Sequence, residues 1–347
     1  MDGIFGWLGD HGAHQDLIRH MRGAANPAPE GLLHEHSSQM LGVAASSRFG
    51  KADIHVENGL AATLTGRPVF LDEELAFIAR DRNPATAVAH GWIRHGETLP
   101  TLMHGNFAFA VLEPLKKKAC LVLDRVGAER LCYAYRGGHL VFGTSAQNAS
   151  AHPAIGRVID PQAIYDYLYF HTIPAPRSLY QGVHKLLPGQ MATLKNGQLS
   201  TAFYWQADYT PVEAGFDAHR SDFRTVLDEA VRAVDAPSTA AFLSGGTDSS
   251  TVVGALTAVR GAPVDTFSIG FDADGFDEME YARCAVERYG SRGHEYYLKP
   301  ADIVTAIPVI AREYDEPFGN DSAVPTYFCA LAAREAGFEH MLAGDGG

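Results

Sequence analysis

Cysteine is scarce in this sequence: four in 347 residues, Cys120, Cys132, Cys284 and Cys329, none in a CxxC pair. That spacing argues against a disulfide framework or a zinc ribbon and fits reduced, mostly buried thiols of a cytoplasmic protein. No apolar run approaches the ~18–20 residues that span a bilayer. The opening MDGIFGWLGDHG lacks the basic stretch of a signal peptide. Basic residues are also few, 28 against 41 acidic ones, for a formal net charge of -13. Such a balance argues against nucleic acid or an anionic membrane as partner. It leaves a phosphate ligand open, because a few backbone N–H groups bind phosphate whatever the global charge. HExxH, GxxxxGK[ST] and GxGxxG are all missing, and with them a zincin helix, a Walker loop and a dinucleotide fingerprint. The sixteen histidines, several of them early (His11, His14, His20, His34, His36), have no ligand spacing and read as solvated imidazoles.

What remains is an ordinary globular mixture, 46% hydrophobic and 20% charged, long enough for two domains. There is no repeat period and no low-complexity tract. The first ~200 residues read as β-rich. Leu60–Leu64, Phe107–Leu112 and Ala119–Leu123 are short apolar runs bounded by Gly, Asn, Pro or charge, as strands of a layered sheet would be. A polar stretch near 206–216 (QADYTPVEAGF) is the linker candidate. Beyond it a helix is expected from Ser221, as cap, to Pro237. Phe223, Val226, Leu227, Ala230, Val231 and Val234 recur along it at helical spacing. A strand (Ala240–Leu243), a glycine turn, a helix from about Asp248 burying Val252, Val253, Leu256 and Val259, and a strand (Val264–Ile269) then form a βαβ unit of a parallel sheet.

The turn between that strand and helix, Ser244-Gly245-Gly246-Thr247-Asp248-Ser249-Ser250, carries the chemistry. Open α/β sheets bind ligands where a strand's carboxyl end meets a helix N-terminus. Two adjacent glycines permit close backbone approach, and their N–H groups with the helix dipole make an anion nest. Ser244, Ser249 and Ser250 add hydroxyls. Asp248 beside a bound phosphate needs a bridging cation, which makes it a Mg²⁺ ligand.

SGGTDSS resembles the pyrophosphate loop of the ATP pyrophosphatase superfamily, and the chain as a whole resembles the asparagine synthetase family. The resemblance implies ATP and Mg²⁺ as cofactors, with Leu243, Ser244, Gly245, Gly246, Asp248, Ser249 and Ser250 holding the nucleotide. It further implies Ile269 in Thr266–Phe271 as the backbone contact to adenine. Phe276-Asp277-Glu278 is similar to the family's acidic pair. Asp315–Phe318 with Ser322–Tyr327 is similar to the segment that shapes the acceptor pocket. Gly344-Asp345-Gly346-Gly347 is similar to the start of the second active-site loop, with Gly344 at the nucleotide and Asp345 catalytic. Because the chain stops inside that loop, a longer protein is expected. Gly105–Ala110, Asp124–Gly127, Phe142–Ser145 and Leu186–Gln190 resemble framework segments of the family's glutaminase half. The implied fold is an N-terminal αββα four-layer domain of the Ntn-hydrolase kind at 1–205, a linker at 206–216, and an α/β ATP pyrophosphatase domain at 217–347, incomplete at its C-terminus.

The departures from the family bear on activity. Its members free a nucleophilic Cys by removing Met; here Asp2 follows Met1. The family's Asn-Gly oxyanion pair falls at Thr65-Gly66. Arg48 matches the arginine that holds the glutamine carboxylate, whereas the family's Asp has no counterpart around Asn83–Ala87. The pattern reads as a retired glutaminase. The leading expectation is therefore an ATP-dependent amide-forming ligase that adenylates a small-molecule or peptide carboxylate for attack by ammonia or an amine. An intramolecular cyclase of the β-lactam synthetase or lasso-peptide cyclase kind stands beside it. A non-catalytic binding protein on the same fold is the reading from another class, against which the intact SGGTDSS counts. A homodimer is the assembly left open.

Overall fold

The structure, a computed structural model, describes residues 3–10, 15–24, 31–47, 52–271 and 278–345. Asp2, His11, His14, Arg48, Phe276, Asp277, Gly346 and Gly347, with the expectations placed on them, lie outside the described residues. The chain groups into two compact units, one of Met1–Asp208 with Arg312–Gly319, the other of Tyr209–Ala311 with Asn320–Gly347.

In chain order the elements begin β1 (Gly3–Leu8), α1 (Gln15–Ala24), β2 (Leu32–Ser37), β3 (Leu41–Ser47), β4 (Ala52–Glu57) and β5 (Leu60–Phe70). Next come α2 (Glu73–Asp81), α3 (Pro84–His95), β6 (Met103–Glu113), β7 (Lys118–Leu123), β8 (Cys132–Arg136) and β9 (His139–Gly143). Then follow α4 (Ala146–Ala151), α5 (Pro161–Phe170), β10 (His184–Lys185), β11 (Gln190–Lys195), β12 (Gln198–Phe203) and α6 (Phe216–Val234). The remainder is β13 (Thr239–Phe242), α7 (Thr247–Arg260), β14 (Asp265–Phe271), α8 (Met279–Tyr289), β15 (Arg292–Leu298), α9 (Pro300–Glu313), α10 (Ala323–Glu335) and β16 (His340–Leu342).

The first unit holds two six-stranded antiparallel sheets, ordered β10-β8-β9-β1-β3-β2 and β12-β11-β7-β6-β5-β4. Strand β6 shows why they stack. Its period-2 alternation sends Ala108, Ala110 and Leu112 into the core shared with Ile4, Val43 and Phe142 of the other sheet. Phe107, Phe109 and Val111 face the opposite way and pack with Leu75 of α2 and Val88 and Trp92 of α3. On the far side of the first sheet, Phe5 and Trp7 pack with Ile18 and Met21 of α1 and Ala146 and Ala149 of α4. The layers therefore run α, β, β, α, as expected. Strands covered on both faces read as continuous apolar runs, which is what their sequences show. Cys120, Cys132 and Cys329 are buried and Cys284 exposed, all free; burial pushes the Cys120 thiol up to about 12.

The second unit holds a parallel sheet ordered β15-β14-β13-β16. From β13 the chain moves through α7 to β14 and through α8 to β15, whereas β16 pairs on the other edge of β13. The strand order thus reverses between β13 and β16. Helix α6 starts at Phe216, after Gly215, not at the expected Ser221, which lies inside it. Ser221 does not cap: its carbonyl accepts from Thr225 Oγ1 one turn on. Val231 is buried in the unit's core and Leu227 packs beside it, while Phe223, Val226 and Val234 are exposed. In α7, Val253 and Leu256 are buried and Val252 and Val259 half-buried. Residues 312–319, expected in the second domain, belong to the first unit. No helix among the described residues is long and apolar enough to cross a membrane.

Candidate active site

The SGGTDSS turn follows β13 and opens α7, and Gly344-Asp345 follows β16. Both therefore lie at the carboxyl ends of the two strands between which the order reverses, the general place for a ligand crevice in an open parallel sheet. Gly344 comes close to the first turn of α7. A Cβ there would stand 2.7 Å from Ser249 N and 2.9 Å from Asp248 Cβ. The structure thus brings the two expected loops together; Asp248 and Asp345 are both exposed at this place.

The turn is shaped by its glycines and tied by one serine. Gly245 has φ +87°, and a Cβ on it would lie 2.7 Å from both Ala282 N and Tyr281 Cβ in the first turn of α8. Only glycine meets both demands. Gly246 opens α7 with no side-chain cap, and its own N–H donates to Ser244 Oγ at 3.3 Å, which leaves the amides of the helix's first turn without a side-chain cap. Ser249 is buried. Its Oγ lies 3.2 Å from Ser244 N as acceptor, 3.0 Å from Ser244 Oγ, and 3.3 Å from the Gly246 carbonyl as donor. The sequence suggested Ser249 as a ligand donor; in this structure its hydroxyl braces the turn. Ser268 was not foreseen: its buried Oγ donates to the Leu243 carbonyl at 2.7 Å, fixing the end of β13 beside β14. A serine inside the apolar run Thr266–Phe271 was the available signal. Ile269 on β14 is half-buried.

At the opposite end of the strands Asp265 opens β14. Hydrogen bonds from Arg292, and then His294, hold its carboxyl below the ordinary carboxylate range. Residues that begin strands stand away from the crevice, so this cluster is framework.

The contrast between the glycines is testable. Gly245→Ala should destabilise the second unit by about 1–3 kcal/mol through positive φ and the clash with α8. Gly246→Ala, at φ -71° with its nearest neighbour 3.4 Å away, should change stability by less than about 0.5 kcal/mol. Hydrogen exchange of the α7 amides reads the difference; equal losses would show that the strain lies elsewhere.

In the first unit Thr65 is 3% exposed on β5, between Ala52 of β4 and Ala108 of β6, and Gly66 has φ +101° with Phe107 beside it. Gly3, the residue after Asp2, pairs with Ser46 of β3, and Thr144 fills the room its missing side chain leaves. Asn83 caps α3, its Oδ1 accepting from Thr86 N at 2.7 Å with Pro84 in the first turn. The stretch Asn83–Ala87 is therefore a helix start, and Thr86 and Ala87 are buried in it.

Residues 222–347 match the asparagine synthase family and residues 74–205 the glutamine amidotransferase domain family. A protein of Methanocaldococcus jannaschii, provisionally named glutamine-hydrolysing asparagine synthetase 2, is 32% identical over 70% of this chain and 48% of its own length. Glutamine-hydrolysing asparagine synthetase 1 of Bacillus subtilis is 27% identical over 69% of this chain and 38% of its own. The chain thus spans about half, or less, of the length of these relatives. A solved structure described as the allosteric regulatory enzyme of purine biosynthesis covers 98% of this chain and is covered for 89%, at 10% identity and a TM-score of 0.40, too distant to add to the sheet order. The matched families, in the order the two units present them, account for most of the sequence. The chain belongs to the asparagine synthetase family and carries an N-terminal glutamine amidotransferase-like domain.

Proposed function

We propose that the protein is an ATP-dependent ligase that activates a carboxylate as its acyl-adenylate and transfers the acyl group to nitrogen. The observation that carries this reading is the meeting of the SGGTDSS turn and Gly344-Asp345 at the strand-order reversal. In this reading the substrate carboxylate attacks the α-phosphorus, and the bond from that phosphorus to the pyrophosphate oxygen breaks. The amides of Gly245, Gly246 and the first turn of α7, with the hydroxyls of Ser244 and Ser250, receive the departing charge. The backbone at Ile269 holds the adenine. The amine then attacks the acyl carbon, AMP leaves, and Asp345 takes the proton from nitrogen. Mg²⁺ on Asp248 would neutralise phosphate charge. One exposed carboxylate suits an ion that keeps several waters and takes its other ligands from phosphates. Labelled ATP supplied to the whole protein with its carboxylate should give AMP and pyrophosphate; ADP and phosphate would overturn the reading.

The glutaminase half is, in this reading, inactive. Asp2 offers no thiolate, and Thr65 stands where the family has an amide donor. Losing one such donor costs on the order of 10²–10³ in rate. Asp2→Cys alone should therefore recover little glutamine hydrolysis, and Asp2→Cys with Thr65→Asn should exceed it by more than about tenfold. A single Asp2→Cys variant with ordinary glutaminase activity would show that position 2 is the one defect. The same two positions favour an amine carried on the substrate, as in an intramolecular cyclase. Undiminished turnover without added ammonia or glutamine is the outcome that separates it from an ammonia-using ligase.

A further inference from the structure

Two neighbouring carboxylates, Asp315, buried, and Glu316, with its side chain 11% exposed, group with the first unit although their segment, 312–319, stands more than a hundred residues after that unit's last strand. Each has its own receptor. Asp315 accepts from the Ser145 hydroxyl, in a short hydrogen bond, and from Ala146 N at 2.8 Å, at the start of α4. Glu316 accepts from Leu179 N at 2.7 Å and pairs with Lys185 Nζ at 2.6 Å. Lys185 also donates to the Ile173 carbonyl at 2.6 Å, so the ammonium is held whether or not the segment is seated. Two further bonds, both to main-chain carbonyls, complete the seat: the Gln147 side-chain Nε2 donates to the Asp315 carbonyl at 3.0 Å, and Gly319 N to the His171 carbonyl at 2.8 Å.

We propose that the amidotransferase-like unit is a receptor for this chain's own Asp315–Glu316 segment, and that holding it is a task the unit keeps apart from any glutamine chemistry. The physical ground is selectivity. A buried carboxylate without its partners is costly, so the seat accepts only a segment that presents two adjacent carboxylates in this register. An apolar strap of equal size would leave the Lys185 ammonium without its counter-charge and the Ser145 hydroxyl without its acceptor. None of the residues involved belongs to the turn after β13 or to positions 2, 48, 65 and 66. Asp315 and Glu316 do fall in the segment expected to shape the acceptor pocket, so the test uses no turnover and its outcome is read apart from the ligase reading.

The test is hydrogen exchange resolved to single amides, in the full chain, comparing the native sequence with Lys185→Met. Removing the cation should speed exchange at Gly319, Leu179 and Ala146 by about tenfold or more, while amides in the centre of β6 stay protected. Where Lys185→Met fails to fold, Glu316→Gln, equal in size and uncharged, gives the same reading. Unchanged exchange at Gly319 would overturn the proposal by showing that the segment is held without the charges. Loss of protection in β6 by the same factor would also overturn it, because the segment would then be an inseparable part of the unit's core.

Discussion

Replacing Asp248 by alanine in the whole protein is expected to lower pyrophosphate release by at least about 10²-fold, with the fold intact. The carboxylate is exposed in the first turn of α7 and does not cap that helix, whose N-terminus uses the Gly246 backbone. Removing it therefore takes away no acceptor that the folded turn needs. The turn's own ties run through Ser244 and Ser249, and Asp248 takes no part in them. What the variant lacks is the oxygen proposed to hold Mg²⁺ at the phosphates. Asp248→Asn keeps the shape and loses the charge, so it should fall nearly as far. Excess Mg²⁺ should restore part of the rate in the asparagine variant. A variant that keeps more than about a tenth of the native rate would remove Asp248 from the chemistry.

Asp124→Ala should destabilise the first unit by about 3–5 kcal/mol. Asp124 is fully buried at the end of β7. Its carboxylate accepts from Val126 N at 3.0 Å, Ala128 N at 3.1 Å and Glu129 N at 2.9 Å. Its own carbonyl receives Gly189 N at 2.8 Å, so one residue ties the 124–129 turn to the entry of β11. Alanine would leave these three part-buried donors without their charged acceptor, and a hydrogen bond to a charged group contributes about 1.5–3 kcal/mol. Asp124→Asn keeps one acceptor oxygen and should lose about half as much. The three tryptophans, Trp7, Trp92 and Trp205, all fall in the first unit, so their fluorescence during denaturation isolates the effect. An unfolding midpoint that does not move would show that water replaces the carboxylate.

Much of the framework was legible because it is written locally. The bounded apolar run Phe107 to Leu112 marked a strand of a layered sheet, and it is one, covered on both faces. The strand, turn and helix around Gly245 are contiguous, and their boundaries came out within two residues of the reading. Helix α6 was legible in kind and misplaced at its start. Ser221 is a good capping residue by type, but the chain turns helical at Phe216, and the serine then sits one turn inside. Periodicity also overstated what α6 buries: Phe223 and Val226 keep the helical spacing and are exposed.

The sequence by itself determined the local form of the turn at 244–250, between a strand and a helix. Glycines, serines and an aspartate between a strand and a helix can form an anion nest without help from distant residues. It marked the N-terminal strands for the same reason, because a short apolar run bounded by turn residues is a local signal. Only the tertiary structure decided which distant pieces meet. Gly344 closes against Asp248 and Ser249 because β16 pairs with β13, a register that joins residues as far apart in the chain as Thr239 and His340. Asp315 and Glu316 lie in the stretch that matches the asparagine synthase family, yet by their contacts they group with the first unit, where Ser145 and Lys185 offer the partners that such carboxylates require. Such choices depend on desolvation and pairing over long loops, and no local spacing records them.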